Sequence, residues 1–263
     1  MQRAPNPTPT IARMQAHRFQ SLDALRGVAI VWMTLYHFAF DLNHFGYLRQ
    51  NFYADPFWTL QRSAIVSLFL FCAGLGQAVA SAQGQSPRRF WLRWAQIAGC
   101  AVLVSIASYW MYPKSFIYFG VLHGIAVMLV VVRATVGLKH WLWLAGGVAV
   151  AMPLIAFNAH IYWPGVDFLN DRWANWLGLI SRKPITEDYV PLLPWLGVMW
   201  WGVAGGQWLL AHRSQWLAGP QRRAAMVPLA WLGRWSLSWY MVHQPVLIGA
   251  LTALAALKAL KAA

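Results

Sequence analysis

The chemistry-bearing residues of this chain concentrate in one apolar stretch, SLDALRGVAIVWMTLYHFAFDLNHFG, from Ser21 to Gly46. It is long and apolar enough for a membrane-crossing helix, yet it carries Asp23, Arg26, His37, Asp41 and His44. At about 100° per residue, His37 falls about 20° around the helix from Arg26, His44 returns to about 0°, and Asp23 and Asp41 each lie about 60° away. All five share one stripe. The opposite face is Val28, Val31, Trp32, Leu35 and Phe38, which suits lipid or apolar packing. An ionisable group at membrane depth costs about 2.5–3.5 kcal/mol on insertion scales, so an aligned set implies a polar cavity or a partner. A single histidine there is as well read as inter-helix glue; five aligned groups favour function.

Imidazole titrates near neutral pH and serves as a general base. His37 is the histidine of this stretch placed well inside the bilayer, and Asp41, one turn on, is placed to orient its ring and stabilise imidazolium. His37 and Asp41 are therefore the candidate catalytic residues, with His44 nearer the surface as a substrate-binding group. Arg26 is 11 residues from His37, about 16 Å along the axis. It is better placed to bind a donor or to pair with Asp23 than to touch the reacting atoms. Two other stretches offer polar groups. In WSLSWYMVHQP, Ser236, Tyr240, His243 and Gln244 recur at i, i+4, i+7 and i+8. His123 lies in GVLHG, about two turns inside another apolar run. Each has a plain reading as a hydrogen-bonded helix contact and a functional one as the lining of a shared cavity with His37.

These residues must be positioned by helices. Of 263 residues, 59% are hydrophobic and only 11% charged, against about 25% charged in soluble domains. The apolar runs are too long for barrel strands, and the fold class is an all-α, polytopic transmembrane bundle. The hydropathy pattern predicts seven spans, near 22–45, 57–82, 90–112, 116–134, 141–157, 190–210 and 235–257, the last broken near Pro245. Residues 1–17, rich in Pro and Thr, have no apolar core and predict a disordered tail, leaving 18–263 as the transmembrane domain. In the long connection 158–190, Trp173, Trp176, Leu177 and Ile180 have the spacing of an interfacial helix. Cys72 and Cys100 lie inside apolar runs and form neither a disulfide framework nor a metal-site spacing.

The net charge of +14 is carried by loops between apolar runs, which is a pattern of membrane orientation and not of nucleic-acid binding. With seven spans, one side receives Arg3, Arg13, Arg18, Arg26, Arg88, Arg89, Arg93, Arg133, Lys139, Arg213, Arg222, Arg223 and Arg234, 13 of the 21 cations, against the single acid Asp23. The positive-inside rule places that side, and the N-terminus, in the cytoplasm. Asp41, His44 and the acidic loop 158–190 then face outward.

At this point the residues resemble a family. Arg26 followed by His37 in LRGVAIVWMTLYH resembles the Arg-to-His signature of the membrane acyltransferase type 3 proteins. SLDALRG, His37 with DLNHFG, FLFCAG, YFGVLHGIAV, DYVPLLPWLGV and SLSWYMVHQPVL together resemble bacterial proteins related to heparan-α-glucosaminide N-acetyltransferase, from about Phe19 to Leu247. His37 follows the type 3 signature, whereas His44 lies closer to the catalytic histidine of the namesake. The resemblance implies a multi-pass protein of a bacterial cytoplasmic (inner) membrane. It would move an acetyl group from cytoplasmic acetyl-CoA, a donor substrate and not a resident cofactor, to a hydroxyl or amine of an extracytoplasmic carbohydrate. Asp23, Arg26, His44, His123, Tyr240, His243 and Gln244 would bind substrate, and no metal is implied. A basic rim of Arg26, Arg88, Arg89, Arg93, Arg222, Arg223 and Arg234 suits the phosphates of CoA, although orientation alone also accounts for it. The rival class is a proton-coupled transporter, which also places His and Asp in a membrane cavity. Neither the inverted repeat nor the paired broken helices of many carriers is visible here.

Overall fold

A computed structural model of the chain describes residues 19–218 and 226–262. The stretch 1–17, expected as a tail, lies outside the described residues, as do Arg222 and Arg223 of the basic rim. Among the described residues the protein is helical, with a single isolated bridge pairing Phe119 with Tyr189. The helices are α1 (Gln20–His44), α2 (Pro56–Ala82), α3 (Pro87–Met111), α4 (Val121–Thr135), α5 (Trp141–Tyr162), α6 (Trp195–His212), α7 (Ser214–Ala218), α8 (Met226–Arg234) and α9 (Ser236–Ala262).

Local chemistry sets where these helices begin. Asp55 accepts a hydrogen bond from the Phe57 N–H at the start of α2 (2.9 Å), and Ser86 does so from Arg89 N–H at the start of α3 (3.4 Å). Each cap is followed by proline at the first helical position, where the missing N–H has no cost. The start of α4 is capped from a distant loop, by the Asp188 carboxylate on Val121 N–H (2.8 Å).

Helices α2, α3, α4 (with the short turn that follows it), α5 and α9 are long and apolar enough to cross a membrane. α1 carries its polar stripe and α7 and α8 are short, while α6 is diluted by tryptophan and glycine. The core is built on α2 and α6, which pack backbone to backbone. A Cβ at Gly74 would collide with the carbonyl of Met199, and one at Gly202 with the carbonyl of Phe71. Around this pair lie Leu70, Met128, Val132, Leu142, Met199 and Val203, all fully buried. The periphery differs: only 11% of the apolar windows of α3 and α9 is buried, against 39% for α2 and α4. Side chains such as Trp110, Leu144, Leu154 and Val246 face outward, as a lipid-facing surface requires.

Three expectations change. α9 runs unbroken through Pro245, and α5 through Pro153; helices in apolar surroundings tolerate proline because neighbouring groups satisfy the freed carbonyl. The stretch 173–180 is not an α-helix but a 3-10 turn, Asn175–Leu177, closed by Gly178 in the left-handed region at φ 86°. Part of the expected loop 211–234 is the helix α8, which runs antiparallel to the first turns of α1. Gly233 seats against the Asp23 carbonyl and Gly27 against that of Leu229.

Candidate functional site

The site is assembled by α1 and α9, which lie side by side and parallel. Three polar rungs fix their register. Trp239 Nε1 donates to Thr34 Oγ1 (2.9 Å), which itself donates to the Ile30 carbonyl (2.8 Å). One turn toward the C-terminal ends, the rings of His37 and His243 meet with centroids 5.1 Å apart at 62°. One turn further, Gln244 Nε2 donates to Asp41 Oδ1 (2.8 Å). Beyond the rungs, Lys258 sits over the Tyr47 ring at 4.5 Å. Hydrogen bonds of this kind specify a pairing because the alternative at membrane depth is an unsatisfied polar group.

Asp41 is 3% exposed and His243 7%. The Asp41 carboxylate is held by Gln244, and no hydrogen bond joins it to His37 in this structure. Asp41 Oδ2, Gln244 Oε1 and His243 Nε2 are buried without a hydrogen-bond partner, three acceptors along one seam. The two oxygens of this set favour a ligand rich in N–H or O–H donors. Tyr240 packs beside His243, centroids 5.8 Å apart, and Tyr36 edges onto His37 at 5.9 Å. His44 is exposed at the C-terminal end of α1, against Phe45.

Asp23 and Arg26 form a second cluster at the other end of α1. Arg26 Nη1 is 3.2 Å from Asp23 Oδ1, and Arg234 Nε is 3.7 Å from Asp23 Oδ2. The carboxylate is buried, and it draws α8 and the first turn of α1 together. Gly76 of α2 leaves room for the guanidinium: a Cβ there would come within 2.5 Å of Arg26 Nη2. The cluster and the histidine pair are separated by about 16 Å of helix.

His123 is placed elsewhere. Its Nδ1 accepts from the Gly120 N–H (3.2 Å), so Nε2 carries the proton and donates to Ser105 Oγ (3.0 Å), which donates to the Ile117 carbonyl (2.7 Å). Among the described residues no hydrogen bond or ring contact joins it to His37 or His243; it locks the start of α4 to α3. Beside it, the loop residue Asp188 is one that sequence reasoning passed over. Burial pushes its carboxyl above the usual carboxylate range, opposed by the Val121 N–H and by Arg62 and Lys183. An acid three residues before the PLLP stretch was the available signal. Among the described residues no group of three His, Cys, Asp or Glu could hold a metal ion.

A bundle of apolar helices with paired histidines and a carboxylate on one seam defines an integral membrane protein with a polar seam between two of its helices. The chain matches the sequence model of the heparan-alpha-glucosaminide N-acetyltransferase catalytic family over residues 18–245, and it belongs to that family. It is thus a membrane acetyltransferase by family. No curated protein and no solved structure matches the chain.

Proposed function

We propose that this protein transfers an acetyl group from acetyl-CoA, arriving from the cytoplasm, to a hydroxyl or amine of an extracytoplasmic glycan, with His37 as general base. The observation that carries this reading is the place of the His37–His243 pair: mid-helix, with the Asp23–Arg26–Arg234 cluster at one end and Asp41–Gln244 at the other. Cations at the first end suit the phosphates of CoA. At the same end, a groove of about 360 Å³ lined by Ala78, Ser81, Ala82, Gln207, Leu210 and Ala211 offers room beside the last turns of α2 and α6. The unpartnered acceptors at the outer end suit the hydroxyls or amine of a sugar.

In this reaction the acceptor oxygen or nitrogen attacks the thioester carbonyl carbon while His37 takes its proton. The new C–O or C–N bond forms, the C–S bond breaks, and the CoA thiolate recovers the proton from the His37 imidazolium. The membrane interior excludes water, which would otherwise hydrolyse the thioester. The inner membrane of a bacterial-type cell is the setting in which cytoplasmic donor and external acceptor meet at such a site.

The test is incubation of the purified protein in nanodiscs with acetyl-labelled acetyl-CoA and cell-envelope glycans. The expected result is label in the glycan, dependent on His37. No transfer, together with proton-coupled solute uptake in proteoliposomes, would replace this reading with that of a carrier.

A further inference from the structure

The hydrogen bonds of His243 fix its tautomer. Nδ1 lies 2.8 Å from the Tyr240 carbonyl and 3.2 Å from that of Trp239, one turn back on its own helix. A carbonyl only accepts, so Nδ1 carries the proton and the lone pair is on Nε2. The side chain is buried, and Nε2 has neither solvent nor partner. Leaving such an atom unpaired costs about 1–3 kcal/mol, which calls for a donor. Two polar rings pack against it, that of His37 with centroids 5.1 Å apart and that of Tyr240 on its own helix at 5.8 Å; of the two, His37 is the nearer and comes from the neighbouring helix. An N–H···N bond of about 2.9 Å between two imidazoles sets their centroids about 5 Å apart. The rings therefore stand at the centroid separation of such a bond, while the structure itself joins them by an edge contact at 62° and no hydrogen bond. The other groups bordering the pair are Tyr36 and Asp41 on α1 and Tyr240 and Gln244 on α9.

We infer that His243 is the positioning residue of His37: its Nε2 accepts one ring N–H of His37 and leaves the other His37 nitrogen as the lone pair offered to the acceptor. The inference rests on the acyl-transfer reading for its catalytic part. The proton leaving the acceptor goes to the free nitrogen of His37, the second His37 N–H stays bonded to His243 Nε2, and His243 keeps its Nδ1 proton throughout. The imidazolium that forms is held by a neutral acceptor. In serine hydrolases a carboxylate plays that part; here Asp41 is engaged by Gln244 instead. A neutral partner also avoids burying a second charge beside His37.

Histidine-¹⁵N NMR of the full chain in nanodiscs, with wild type, His243→Phe and His243→Gln, tests this in two independent ways. The spectra should show His243 protonated at Nδ1 alone, and the His37 ring nitrogens should shift in His243→Phe. In the transfer assay, His243→Phe should lower kcat by at least about tenfold and leave the KM for acetyl-CoA unchanged. His243→Gln, whose Oε1 replaces the Nε2 lone pair, should recover most of that loss; a merely space-filling role would make the two variants alike. A His243 protonated on Nε2, or equal loss in Phe and Gln variants, overturns the inference. A wild type that shows the tautomer and the His37 coupling but transfers no acetyl group refutes the acyl-transfer reading and leaves the histidine pairing standing.

Discussion

His37 and His44 are seven residues apart on α1, about 10 Å along the axis, and their surroundings assign them different work. His37 lies against His243, whereas His44 is exposed at the helix end. His37→Ala should lower acetyl transfer by about 10²–10⁴-fold with acetyl-CoA binding intact by calorimetry. His44→Ala should mainly raise the KM of the acceptor. A dead His44→Ala with an active His37→Ala would make His44 the base. At the same scale, Asp188 gives a pH prediction. Its carboxyl has a raised pKa in the folded protein because burial penalises the charge. The folded state therefore holds that proton at pH values where the unfolded state has lost it, and stability falls as pH rises from the usual carboxylate range through the raised folded pKa. Asp188→Asn keeps an acceptor for the Val121 N–H and removes the charge. Thermal melts from pH 4 to 7 should show less decline in the variant than in wild type; parallel curves would mean that Asp188 titrates as an ordinary carboxylate.

At the scale of elements, the α2–α6 contact depends on the absence of side chains at Gly74 and Gly202. Gly202→Val drives a branched side chain into the Phe71 carbonyl, and overpacking of this kind costs about 1–3 kcal/mol. A Tm in detergent equal to that of wild type would show that the two helices do not pack so closely. Arg234 on Asp23 ties α8 to α1, and Arg26 shares that carboxylate from within α1, so Arg26 has an ion-pair role in the structure as well as a candidate donor contact. Arg26→Ala should weaken acetyl-CoA binding in calorimetry while the protein remains in the membrane. Unchanged affinity would leave Arg26 with the structural role alone.

For the whole molecule, the mechanism requires the two ends of α1 to face opposite compartments. The proposed orientation, with the cation-rich side in the cytoplasm, predicts Ser86 on the cytoplasmic side and Asp171 outside. Single cysteines at these positions, in a background with Cys72 and Cys100 replaced by alanine, should label oppositely with a membrane-impermeant thiol reagent applied to intact cells. Equal labelling of both would end the transmembrane arrangement and the reaction built on it.

The sequence by itself determined the helical bundle and the polar stripe of α1, because both follow from local quantities: the length of an apolar run and the 3.6-residue period. It also supplied the candidates Tyr240, His243 and Gln244, which recur on one face of α9. It did not determine which polar groups meet. His123 and His37 look alike as lone histidines in apolar runs, yet one is consumed by the Gly120–Ser105 cap and the other faces His243. Asp41 is one turn from His37 on the same helix, but its partner is Gln244, 203 residues away. Nor could the helix α8 be read from a nine-residue stretch between basic residues, since its helical state depends on docking against Gly27 and Asp23 of α1. Hydrogen bonds act over about 3 Å, and only the parallel docking of α1 on α9 brings residues so distant in the chain within that reach.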